Sequence, residues 1–145
     1  TTSFTFGFTC NHLYTRVTYS FIGSVPYMKF VATVHETFYE HNSKKYIRFA
    51  IPEKVADIIG RMHASKTHLI TNEIIENSLD GRVLTVKVPF RYRRVMCEVK
   101  GRPVQSLVKG DEVEIVVDFK GVWNVGNYSG FSWILSSSSA GSSVD

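Results

Sequence analysis

The chain has 145 residues, 43% of them hydrophobic and 21% charged, with a net charge of +4, which is enough for one domain to bury a core without staples and excludes disorder of the whole chain. Cys10 and Cys97 lie far apart and outside any CxxC pattern, so a disulfide scaffold and a structural zinc site are excluded and reduced, buried thiols are expected. No apolar run approaches the ~20 residues of a membrane-spanning helix and no signal-peptide pattern opens the chain, so an intracellular protein with no membrane partner is expected.

In chain order, residues 1–21 are rich in Thr, Phe, Tyr and Val and predict one or two strands joined by a turn. From Tyr27 to Glu40 the chain alternates, with Met28, Phe30, Ala32, Val34 and Phe38 on one face and Lys29, Thr33, His35 and Thr37 on the other, the pattern of a half-buried strand. Lys44 to Pro52 returns as its hairpin partner, with Ile47, Phe49 and Ile51 inward and Tyr46 and Arg48 outward. Val55, Ile58, Ile59 and Met62 predict a helix from Pro52 to Ala64, and Ile70, Ile74, Ile75 and Leu79 predict a second short helix.

The segment from Arg82 to Arg102 sets seven cations against one acid, Glu98. Val83 to Arg93 alternates so that Val86, Val88, Phe90 and Tyr92 share a face opposite Lys87, Arg91 and Arg93, which assigns Phe90 to the interior. Pro89 marks an edge or a bulge. Val95 to Val104 continues through a turn, Val113, Ile115, Val117 and Phe119 form the next inward row, and Phe131 to Leu135 the last strand. The run from Ser136 onward is Ser, Ala and Gly and reads as a flexible tail, giving a folded unit at 1–135 and a tail at 136–145.

Catalytic chemistry lacks its usual spacing. His12, His35, His41, His63 and His68 form no HExxH or His pair beside a Cys pair and read as surface histidines. Gly121, Gly126 and Gly130 lack the GK[ST] ending of a phosphate loop, and Ser129 to Ser132 is not a GxSxG elbow. No cofactor, no metal and no enzyme activity are expected.

Five or more strands with a helical insertion after the second hairpin strand form the pattern of an oligonucleotide/oligosaccharide-binding (OB) barrel: an all-β to α+β fold with a five-stranded or slightly extended antiparallel barrel and a short helical insertion. Lys109-Gly110-Asp111 before Val113 resembles the turn that opens OB strands, and Gly121-Val122-Trp123 with Gly126 to Leu135 resembles the aromatic loop and closing strand of viral and phage single-stranded DNA-binding proteins. Gly130, Ser132 and Leu135 match the small residue, serine and aliphatic of that closing strand. The resemblance covers about the last sixty residues. It implies sequence-independent binding in replication, recombination or repair, with replication proteins as further partners, in the cytoplasm or nucleus of a host cell if the source is viral. The acidic tail by which many such proteins recruit those partners is not matched by residues 136–145.

A basic groove would track phosphates through Lys29, Arg48, Lys87, Arg91, Arg93, Arg94, Lys100 and Arg102, while aromatics stack bases without reading them. Trp123 and Tyr128 lead as stacking residues, followed by Tyr92, Tyr27, Tyr39, Tyr46 and Trp133. Single-stranded RNA, a homo-oligomer and an assembly β-domain pairing through strands from Phe4 to Phe21 are the alternatives.

Overall fold

A computed structural model describes the backbone of residues 3–10, 15–22 and 25–140 and the side chains of residues 27–140. His12, the Cys10 thiol and residues 141–145 lie outside the described residues. Strands β1 (Ser3–Cys10) and β2 (Thr15–Ile22) form an antiparallel hairpin that lies along the start of β3 (Val25–His41). As the alternation predicts, β3 turns back into β4 (Lys44–Ala50). Asn42 and Ser43 take φ of 53° and 65° there, the twist-matched two-residue turn of a hairpin.

Pro52 ends that strand and opens α1 (Glu53–Ser65), whose buried face is Val55, Ala56, Ile59 and His63. Each fully buried aliphatic contributes about 1.5–3 kcal/mol. The second predicted helix is absent. After a single 3-10 turn at Thr67–Leu69 the chain extends into β5 (Ile74–Glu76) and β6 (Leu79–Asp80), because β-branched Ile74 and Ile75 beside Asn72 and Asn77 favour extended and turn backbone and neighbouring strands offer edges to pair with.

Strand β7 (Val83–Val88) stops at Pro89, where the sequence marks an edge. Beyond it β8 (Phe90–Arg91) and β9 (Arg94–Val95) form a separate two-stranded ribbon. Then follow β10 (Glu98–Gly101), a 3-10 turn at Val104–Ser106, β11 (Glu112–Val125) and β12 (Tyr128–Ala140).

Five strands close a ring: β3 pairs with β4, β4 with β7, β7 with β12, β12 with β11, and β11 again with β3. The length of β3 makes closure possible, since Thr33 stands opposite both Glu112 of β11 and Ala50 of β4. The ring is not purely antiparallel as expected; Ile134 of β12 meets Lys87 of β7 in a parallel pairing. Phe30, Phe49, Ile115 and Leu135 are fully buried inside it, and α1 adds Val55 and Ile59 to the same core.

Two expectations are corrected here. The last strand runs from Tyr128 to Ala140, so Ser136 to Ala140 belong to the sheet and are not tail, with Ser138 and Ala140 buried. Phe90 is not interior: past Pro89 it is half-buried on the barrel flank, its ring 5.9 Å from that of Phe38.

Candidate nucleic-acid interface

The outward row of β12 is built from small side chains on either side of Ile134, with Gly130, Ser132, Ser136, Ser137 and Ser139 between neighbouring strands that carry long ones. Two adjoining hollows follow. Lys29 and Lys100 face each other across Ser137 and Ser139, and Lys87 and Lys120 flank Ile134, with Ser136 shared by both hollows. Lysines on long stems beside a floor of serines make a shallow trough along one strand.

Its charge is nearly balanced. Four lysines meet Glu98, Glu114 and Asp118 on the same walls, with Lys29 Nζ 3.7 Å from Glu114 and Lys120 Nζ 4.0 Å from Asp118. Such half-exposed pairs are worth little and leave the lysines free to exchange partners. Burial pushes the Asp118 carboxyl up, partly offset by Lys120, and burial raises the Cys97 thiol beside it.

The unopposed charge rises from the trough's wall beside Ser136, where Pro89 and Met96 form its border and Met96 N–H donates to the Pro89 carbonyl at 2.8 Å. From that base the β8–β9 ribbon projects Arg91, Tyr92, Arg93 and Arg94, all exposed, Tyr92 at 80%. Among the described residues no carboxylate pairs with Arg91, Arg93 or Arg94. The turn is costly: Tyr92 and Arg93 hold φ of 55° and 64°, about 1–3 kcal/mol for each non-glycine residue. Arg91 also stands directly opposite Arg94, a like-charge pair that destabilises a ribbon. The base is held by Phe90 against Phe38, with Lys45 Nζ 5.2 Å from the Phe90 ring.

The remaining expected residues divide. Arg48 lies on the β3–β4 flank, 3.1 Å from Glu36, with Nε donating to the Tyr39 hydroxyl at 3.2 Å. Tyr39 stacks on Tyr46 at 5.7 Å, and Tyr46 sits opposite Lys87, so this flank meets the trough at Lys87. Burial chiefly raises the Tyr46 hydroxyl, with Tyr39 and Glu76 adding to it. Arg102 is a clasp, not a free cation: its Nη1 lies 3.2 Å from Asp111, whose carboxyl the Val108 N–H and then Arg102 hold below its usual range.

Trp123 and Tyr128 lie toward the start of β12, beyond both hollows. The Trp123 ring covers Gly130, where an added Cβ would meet it at 2.6 Å and the Glu76 carbonyl oxygen at 2.7 Å. Tyr128 is 47% exposed. Trp133, by contrast, is buried and unavailable for stacking. Its Nε1–H donates to His63 Nε2 at 2.9 Å, and His63, expected at the surface, is buried with its ring 4.0 Å from Phe131 and nearly parallel to it.

Lys29, Lys87 and Lys100 are thus brought to one trough and Arg91, Tyr92, Arg93 and Arg94 to its rim, while Arg48 and Arg102 are held elsewhere by acids. Lys120 and the serine floor were missed by sequence reasoning. Hairpin symmetry carried the signal: a strand pair turning at Gly126 and Asn127 has arms of equal length, so a partner for Val113 falls at Ala140. Compared with protein-family models, curated proteins and solved structures, the chain matches none.

Proposed function

We propose that this chain is a non-catalytic, sequence-independent single-stranded DNA-binding protein of replication, recombination or repair, on an OB-like barrel. The observation that carries the reading is the trough along β12 with lysines on both walls, three arginines unpaired among the described residues on a ribbon that rises from its wall, and Trp123 and Tyr128 farther along toward the start of β12. A flexible phosphate chain needs cations at intervals along a path and flat ring faces beside it. Five ring strands and a turn at Gly126 and Asn127 flanked by Trp123 and Tyr128 between the fourth and fifth favour the OB reading, in which ligands lie over strands two and three and the adjoining loops. Tyr46, Arg48 and Lys87 lie on the matching face.

The test is an anisotropy titration with labelled oligo-dT longer than the ~16 nucleotides one barrel covers. Affinity is expected to fall linearly in log salt, and Lys87→Gln with Lys100→Gln lowers the slope by about 1.4, at ~0.7 per phosphate contact. Salt-independent binding, or none, overturns the reading; oligo-U run in parallel separates RNA from DNA.

One observation favours an assembly role as a second reading. Strand β1 pairs only with β2, and its other edge is open among the described residues, a surface on which another chain can add. Concentration-dependent association in sedimentation, with no affinity for oligo-dT, would favour it.

A further inference from the structure

The β8–β9 ribbon does something that a groove for a single strand does not require. A single strand is held by a concave path, and the β12 trough is one. The ribbon is the opposite shape: a separate two-stranded sheet that stands out beyond Pro89 and presents Arg91, Tyr92, Arg93 and Arg94 to solvent on a convex tip.

Its sequence works against its own folding. Left-handed backbone at Tyr92 and Arg93 and an Arg91–Arg94 cross-strand pair are choices that Asn-Gly at the turn and one acid opposite one arginine would remove. Local rules are broken in this way where a ligand is served. The base, in contrast, is well made, with Phe90 against Phe38, Lys45 over the Phe90 ring and a backbone hydrogen bond between Met96 and Pro89. A rigid stem therefore carries a charged tip.

A convex cationic ribbon fits a concave polyanion. The major groove of a duplex is about 12 Å wide and admits a two-stranded β-ribbon, with phosphates on both rims. Ile134 of β12 meets Lys87 of β7 and Ser137 meets Glu98 of β10, so the ribbon between β7 and β10 rises from the wall of the trough at the level of Ser136. A strand bound along the trough passes the base of the ribbon, whose tip is then within reach of a duplex that continues that strand.

Resting on the single-strand reading above, we infer that the β8–β9 ribbon seats in the groove of a duplex adjoining the bound strand, so that the protein prefers single-strand/duplex junctions. Arg91, Arg93 and Arg94 contact phosphates of both rims, and Tyr92 at the apex packs into the groove.

The experiment compares three DNA probes at one salt concentration: oligo-dT, a duplex with an oligo-dT tail, and the blunt duplex. Wild type is expected to bind the tailed duplex about tenfold more tightly than oligo-dT. Tyr92→Asn with Arg93→Gly places a favoured turn in the ribbon, so its melting temperature is expected to hold or rise while the tailed-to-single-strand ratio falls to about one. Lys87→Gln with Lys100→Gln weakens both probes and keeps the ratio. Equal wild-type affinity for tailed and single-stranded DNA, or a ratio that survives in the Asn-Gly variant, overturns this inference and leaves single-strand binding standing. Binding to the blunt duplex but not to oligo-dT, with the duplex affinity lost in the Asn-Gly variant, overturns single-strand binding and retains the ribbon's role; binding to none of the three overturns both.

Discussion

His63 sits on the buried face of α1, its Nε2 accepting from Trp133 and its ring flat on Phe131. Burial lowers its pKa to about 4. Because the folded value lies below the unfolded ~6.5, the unfolded chain binds the extra proton between the two. This residue's contribution is therefore complete above pH ~6.5, falls as the pH drops toward 4, and is flat below, an effect of at most about 3 kcal/mol. Urea melts across that window are expected to show a shallower decline for His63→Gln than for wild type; parallel declines would refute the assignment. The sequence reading put His63 at the surface and Trp133 among the stacking residues, although the spacing of both carried the opposite signal. His63 falls four residues after Ile59 and eight after Val55 on the helix face, and Trp133 shares the alternation of Phe131 and Leu135. What the period could not give was the hydrogen bond that lets two polar rings enter the core.

At the scale of elements, strands with strict alternation were readable: β3, β4, and the inward rows of β7 and β11. Segment 70–79 was not, since the spacing of Ile70, Ile74 and Leu79 suits a helix until β12 and β7 offer edges that pair it as β5 and β6. The β8–β9 turn was hidden for another reason: Phe90 to Val95 contains no Gly, Asn or Pro to announce it. Strand β10 depends on Gly101, which combines φ of 79° with a backbone approach so close that a Cβ would collide with the Ala140 carbonyl oxygen. Gly101→Ala is expected to cost about 2–4 kcal/mol through strain and lost β10–β12 pairing, read as a lower denaturation midpoint and faster amide exchange in residues 137–140. An unchanged midpoint would show that this junction bears no load.

For the molecule as a whole, closure of the ring is the decisive event. Ile134 closes it against Lys87, and residues 136–140 extend it, pairing with β11 at Val113 to Val116 and with β10 at Glu98 to Gly101. Truncation after Leu135, harmless if the segment were a tail, is expected to remove cooperative unfolding or lower stability by several kcal/mol, because two strands lose partners and the end of the core opens. Retention of the full melting temperature by that truncation would restore the tail reading. Closure also assembles the candidate site, since the trough exists only where β3, β7, β10 and β11 bring lysines to either side of β12. Among the described residues no helix is long and apolar enough to cross a membrane.

The sequence by itself determined what depends on neighbours along the chain: the half-buried strands, the helix after Pro52, the break at Pro89 and the excess of cations between Arg82 and Arg102. Tertiary structure decided which cations, there and at Arg48, remain free. Arg102 meets Asp111 and Arg48 meets Glu36, while Arg91, Arg93 and Arg94 find no acid among the described residues. It also decided that a run of serines is the floor of a trough. Alternation and composition report which face of an element is apolar, whereas the partner of a charge and the strand beside a small residue depend on ring closure between segments far apart in the chain.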